Sequence, residues 1–320
     1  MQFSRYLTYS KSDSAYPIVS WIIKLGLVFA SLYYVISKLI EESTAFAGLL
    51  KQFMVPAFIG IIVFVLMLMV INWLLEAIKW QFVAKPFSSL SLKQSVKAVV
   101  TGISLDAVIP LGAGAVAGKV LSVKYKDRNN LYLPAILAQG LQSFWTVLLG
   151  MYGIYQLSEM TKLGEFYSVE KGQIALSVLI LSGLVLLIFW PKAAQKLGDT
   201  VKVYSISTWT ALTVLSFLRY VVFLSQLLLL AHFFSPEIAL PVLVGCSNWM
   251  FFAKTIVPKP GHIGALGIRG ASAIIFLDLA GYPYSGFVLA TFALWVINLA
   301  IPSLLGLFFI KELHFTAESK

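Results

Sequence analysis

The 320 residues include one cysteine and three histidines, and charged side chains make up only 12% of the chain. A lone Cys246 can form neither an intrachain disulfide nor a cysteine-based zinc site. His232, His262 and His314 lie too far apart in sequence for metal-ligand spacing, so no metal and no cofactor is expected. There is no Walker loop, although Gly112, Gly114 and Gly118 are crowded, and no G-x-S-x-G nucleophile elbow. The carboxylates are few and scattered, which names no catalytic residue and argues against an enzyme. The shortage of charge excludes more. Ordinary globular domains carry about 25% charged residues, and a soluble chain could not hide this much apolar surface in one core.

What is abundant is apolar: 59% of residues are hydrophobic. Lipid is the solvent such a surface needs, and the expected fold is an all-α, polytopic integral membrane protein forming a single membrane domain over 1–320. The formal net charge of +10 sits in short loops between apolar runs. That is the pattern of charge retained on the cytoplasmic side and of contact with anionic lipid, so a membrane partner is expected and nucleic acid is not.

A spanning helix needs about 20 apolar residues. Ile18–Ile40, Val55–Lys79, Leu131–Leu157, Gln173–Trp190, Thr208–Phe234, Ile238–Ile256 and Phe287–Ile310 meet that requirement. The expectation is about seven or eight spans, with a cytoplasmic tail over 1–17, a bundle over 18–310 and a short tail over 311–320. Lys24, Lys38 and Lys79 read as anchors reaching toward the interface, and Trp80–Lys97 as a segment lying along it.

Two further stretches, about 98–121 and 257–281, are apolar but broken by proline and clustered glycine. Basic loops flank the first on both sides, so it is expected to enter and return as a re-entrant segment; the second is open between a span and a hairpin. Their sequences repeat. PLGAGAVAGK from Pro110 and PGHIGALGIR from Pro260 match at the proline, at Gly114/Gly264, at Ala115/Ala265 and at the closing base Lys119/Arg269. Paired interrupted segments point to a transporter binding site, because broken helices expose backbone groups tolerated only around a cavity or inside protein. Close helix packing by small residues is the alternative.

Ionisable residues within spans are costly and so are candidates for function. Glu76 lies near the end of the second span, Arg219 near the middle of Thr208–Phe234 with Gln226 two turns on, and Asn298 on the last span. Arg219 suits an anionic head group, or equally an internal ion pair with Glu76. The candidate substrate-binding set is Arg219, Lys119, Arg269, Glu76, Gly114, Gly118, Gly264, Gln226 and Asn298.

Five phrases then occur in one order: NWLLEAIKW (Asn72–Trp80), VTGISLDAVIPLGAGAVAGKVL (Val100–Leu121), FLRYVVFLSQ (Phe217–Gln226), VPKPGHIGALGIRGASAIIF (Val257–Phe276) and LWVINLAIPSLLGL (Leu294–Leu307). Together they resemble the transmembrane region of the lysylphosphatidylglycerol synthases, the flippase-like domain family of bacterial membrane proteins. The resemblance implies a helical domain with re-entrant segments that moves aminoacylated phosphatidylglycerol between leaflets of the inner membrane. With only KELHFTAESK after Ile310, it implies the translocation part alone. The family's pattern commonly has an acid where this chain has Ala115 and Ala265, and an Asn-Arg pair at Leu111–Gly112. Their loss favours an anionic lipid, a phospholipid or a polyprenyl-linked lipid, over a cationic head group. The expected function is therefore a flippase-like lipid translocase of the bacterial inner membrane with a cytoplasmic N-terminus. The alternatives are a membrane-embedded transferase acting on a lipid-linked substrate and a non-transporting scaffold subunit.

Overall fold

The computed structural model describes residues 15–41, 48, 51–109, 112–123, 128–161, 191–258 and 261–313. The expected span Gln173–Trp190, the two repeat prolines and the chain tails lie outside them. Among the described residues 87% are helical and none is in a strand, so the all-α expectation holds. The helices are α1 (Ala15–Glu41), α2 (Pro56–Ala84), α3 (Leu92–Val108), α4 (Ala113–Leu121), α5 (Asn129–Met160) and α6 (Pro191–Lys202). They continue with α7 (Ile206–Phe234), α8 (Leu240–Ile256), α9 (Gly261–Leu279), α10 (Ser285–Trp295) and, after a π-helical stretch over Val296–Ala300, α11 (Ile301–Leu307).

Local chemistry explains several boundaries. Pro56 opens α2 at a position where a missing N–H costs nothing. Ser91 and Gln94 form a reciprocal capping box at the start of α3, and Ser205 accepts the Thr208 amide at the start of α7. Pro302 has no N–H to bond the carbonyl four residues back, which accounts for the wider turn between α10 and α11.

Among the described residues, five helices are long and apolar enough to cross a membrane: Pro56–Ala84, Asn130–Met160, Ile206–Phe234, Gly261–Leu279 and Ser285–Leu307. The surface of α2 identifies the solvent. Only 17% of its most apolar window is buried, and Ile59, Val63, Phe64, Met67, Val70 and Ile71 are exposed. Such a flank is consistent with an integral membrane protein, since water would reject it. Two interfacial expectations need correction. The helix does not stop at Lys79 but runs to Ala84, and both Lys79 and Trp80 are 2% exposed. Lys79 is no anchor at the interface, because Glu76 one turn earlier draws its ammonium inward.

The first broken stretch folds as the hairpin α3–α4; the second is the single helix α9, which packs on α8, and the two pairs have their bases at opposite ends of the bundle. In the first, α4 packs back on α3 with Gly118 over Gly102 and Gly114 against Leu105 and Asp106. Lys97, one turn into α3, pairs with Glu312 at 2.7 Å, so the base of this hairpin sits beside the end of α11. In the second, α8 packs on the later half of α5, where Gly245 meets Gln156 and Gly153 meets Trp249. Its partner α9 runs beside the later half of α1, with Gly267 at Ser31 and Leu32 and Gly270 at Val35. The tyrosine hydroxyl of Tyr284, just after α9, donates to the Lys38 carbonyl at the far end of α1.

The hairpin tips meet in the interior. Gly261 opens α9 with φ of 61°, and a Cβ there would stand 2.3 Å from the Ala107 carbonyl oxygen. Only glycine satisfies both the left-handed backbone and that approach. Apolar packing divides around this junction. One cluster gathers Leu227, Leu230, Leu243, Met250, Phe276 and Phe287; the other gathers Trp80, Val99, Ile103, Val116, Val120 and Leu131.

Gly118→Ala should destabilise the fold by about 1–3 kcal/mol, because its Cβ would stand 2.4 Å from the Gly102 Cα. Gly140→Ala on α5, where a Cβ meets nothing within 4 Å, should be neutral or stabilising by up to about 1 kcal/mol. Unfolding of the detergent-solubilised variants checks the contrast.

Candidate functional site

A cavity of about 220 Å³ lies between the two apolar clusters, bordered by Val99 and Ile103 from one and by Tyr220 and Phe251 from the other. Its polar lining comes from seven helices: Asn72, Trp73 and Glu76 of α2, Asp106 of α3, Lys119 of α4, Gln139, Gln142 and Thr146 of α5, Arg219 of α7, Lys254 of α8, and His262 and Arg269 of α9.

Glu76 organises one wall. Its Oε1 accepts from Lys119 Nζ at 2.7 Å, and its Oε2 lies 2.5 Å from Arg219 Nη1 and 2.9 Å from Lys79 Nζ. Arg219 Nε also donates to the Asn72 side chain at 3.2 Å and to the Asn72 carbonyl at 3.3 Å. Asn72 in turn reaches Asn298 at 3.4 Å, which ties α2, α7 and the π-helical stretch into one polar seam. The ring of Trp80 lies under Lys119 and that of Trp73 under Arg219, at 6.0 and 5.3 Å. Both stacked rings favour the cations electrostatically.

The opposite wall is left unsatisfied. Arg269 is 3% exposed, stacks on Phe223 at 5.6 Å, and has no hydrogen-bond partner for Nε and Nη1 among the described residues. The same holds for Trp73 Nε1, Asp106 Oδ1 and Gln142 Oε1. Buried polar atoms without partners cost about 1–3 kcal/mol each, and five of the ten among the described residues belong to side chains that line this cavity. At the hairpin tips His262 Nε2 stands 3.5 Å from Asp106 Oδ2, and the His262 carbonyl accepts from the Trp295 indole at 3.1 Å.

The chain matches no family model, no curated protein and no solved structure. The site therefore has to be read from its own geometry.

Of the sequence-derived candidates, Glu76, Lys119, Arg219 and Arg269 border the cavity together. Lys119 and Arg269, the closing bases of the repeat, reach it from opposing hairpins. Arg219 occupies both roles left open by the sequence, since it pairs with Glu76 and still faces the space. The other candidates stand behind the wall. Gly114 and Gly118 are spent on the α3–α4 crossing, and Gly264 is buried in α9 away from the lining. Gln226 donates to the Val65 carbonyl at 2.8 Å, and Asn298 supports Asn72. Close packing on α3 accounts for Gly114 and Gly118.

Sequence reasoning passed over the contribution of α5. Gln139, Gln142 and Thr146 recur at helical spacing on an otherwise apolar span, a polar stripe that could have been found by its period. It weighed His262 only as a metal ligand. The imidazole is 7% exposed, in the first turn of α9, facing Asp106.

Glu76→Gln leaves Lys79, Lys119 and Arg219 without their shared carboxylate. The expected loss is about 3–5 kcal/mol, as for removing one member of a buried ion pair, read as a lowered thermal midpoint in detergent.

Proposed function

We propose that the chain is a lipid translocase of the bacterial inner membrane whose cavity accepts an anionic head group while the hydrocarbon chains remain in lipid. The observation that carries this reading is the convergence of Lys119, Arg219 and Arg269 on one interior cavity, with Arg269 unpaired beside it. Ionisable residues at membrane depth mark substrate pathways, and interrupted helices meeting mid-bundle are the usual frame of a transporter site. The resemblance to the flippase-like family supports the same activity.

The topology that goes with this reading has re-entrant segments. α4, with nine residues, is only about 14 Å long and cannot cross a hydrocarbon core of about 30 Å. It returns α3 to the end where Lys85, Lys93 and Arg128 lie, the basic end assigned to the cytoplasm. The α8–α9 hairpin enters from the opposite face. On this view α9, though long enough to span, pairs with α8 as a hairpin arm. The full spans among the described residues are then α1, α2, α5, α7 and α10–α11, and the Lys97–Glu312 pair sets the end of α11 on the same basic side as the base of α3.

A membrane-embedded transferase is a second reading, favoured by the Asp106–His262 pair in the cavity, since an imidazole held by a carboxylate is a common general base. Turnover of a lipid-linked acceptor that disappears in Asp106→Asn would support it against translocation.

Proteoliposomes holding the purified protein and fluorescent phospholipid analogues test the leading reading by chemical quenching of the outer leaflet. Exchange of an anionic analogue should exceed that in protein-free vesicles and fall by about ten-fold or more in Arg269→Gln, the loss expected for one charge-assisted contact. Equal exchange with and without folded protein would overturn it.

A further inference from the structure

The cavity carries a surplus of positive charge that the protein does not neutralise. Among the described residues, Lys119, Arg219 and Arg269 of the lining, with Lys79 behind them against Glu76, face only Glu76 and Asp106, an excess of two with His262 counted neutral. Glu76 is already engaged by three cations, and Asp106 faces His262 through Oδ2 while its Oδ1 has no partner among the described residues.

Uncompensated charge in a low-dielectric interior is expensive. A monoanion would remove one of the two surplus charges, whereas a dianion removes both. Size narrows the ligand further. Small-molecule sites commonly run to about 300–1,000 Å³, and this cavity holds about 220 Å³, room for a phosphate and a few further atoms but not for a sugar chain. Donors predominate among the unpaired atoms: Arg269 Nε and Nη1 on one side and Trp73 Nε1 on the Glu76 side, with Asp106 Oδ1 and Gln142 Oε1 as acceptors.

We propose that the cavity binds a phosphomonoester or diphosphate, a small head group with two negative charges, in preference to a phosphodiester. Arg269 and Trp73 grip its oxygens, and the Lys119–Arg219 wall supplies the balancing field. The inference rests on the translocase reading for the lipid source of that group; the charge count stands without it.

Equilibrium binding to the purified full-length protein in detergent tests the proposal. The probes are dihexanoyl phosphatidic acid, dihexanoyl phosphatidylglycerol and inorganic phosphate. Phosphatidic acid should bind about ten-fold or more tightly than phosphatidylglycerol, the difference expected from an additional charge-assisted contact. Arg269→Gln should erase most of that preference, and Arg269→Lys, which keeps the charge, should retain part of it. Thermal melts confirm that both variants are folded. Phosphatidylglycerol binding as tightly as phosphatidic acid, or an unchanged preference in Arg269→Gln, would overturn the proposal. Inorganic phosphate binding as tightly as phosphatidic acid would support the dianion chemistry and assign it to a soluble source. Leaflet exchange of the same lipids separates the two readings. Selective binding of phosphatidic acid without movement defeats the translocase alone; movement of phosphatidylglycerol with equal binding defeats the dianion alone.

Discussion

The carboxylate of Glu76 is the constraint on which the rest depends, because it is one anion shared by three buried cations from three helices. Helices in lipid gain nothing from hiding apolar surface against one another, so packing and polar contacts must decide their arrangement. Lys79 on α2, Lys119 on α4 and Arg219 on α7 can each be desolvated only where that carboxylate stands. Their convergence fixes the depth of the short helix α4 and the rotation of α7 together. The Asn72 side chain and carbonyl then orient Arg219, and Asn298 orients Asn72. A polar seam of this kind is costly unless its members are connected, and here each charged or amide side chain has a partner.

Interrupted helices create the complementary problem. A helix end leaves four backbone groups without intrahelical partners, and lipid cannot satisfy them. Bringing the tips of two hairpins together in the interior lets each shield the other, which is why Gly261 presses on the Ala107 carbonyl and His262 faces Asp106. Glycine crossings permit the approach. Without Gly102, Gly114 and Gly118 the α3 and α4 backbones could not come close enough to hold the tip in place.

Much of this was legible in the residues. Membrane class followed from apolar length, Glu76 and Arg219 from their cost at depth, and Lys119 and Arg269 from the closing bases of the repeat. The repeat located both breaks, since proline and glycine declare themselves locally. Helix boundaries were less legible where a charge was involved. Lys79 looks like the end of a span only until Glu76 is known to face inward, and sequence alone does not say which face of α2 that is. The same limit hid Trp80, whose ring is amphipathic enough for an interface but here lies under Lys119. The glycines were ambiguous for a different reason. A glycine that admits a ligand and one that admits a neighbouring helix are written with the same letter, and only the crossing of α4 on α3 separates them.

Ala115 brings the packing and the electrostatics together. It lines the cavity one helical turn before Lys119, a spacing at which side chains are neighbours on a helix. A carboxylate at that position would sit beside Lys119 and remove part of the positive surplus from within. The methyl group leaves the surplus intact, and Ala265 on the other hairpin, 1% exposed, adds no charge either. The charge that Lys119 and Arg269 bring into the interior is therefore not fully balanced by the residues around them. A transport site gains from such an imbalance. A head group that completes the charge balance enters readily, and because the protein's own ion pairs persist beneath it, it can also leave. Full internal neutralisation would have stabilised the fold and removed the reason for a ligand to bind.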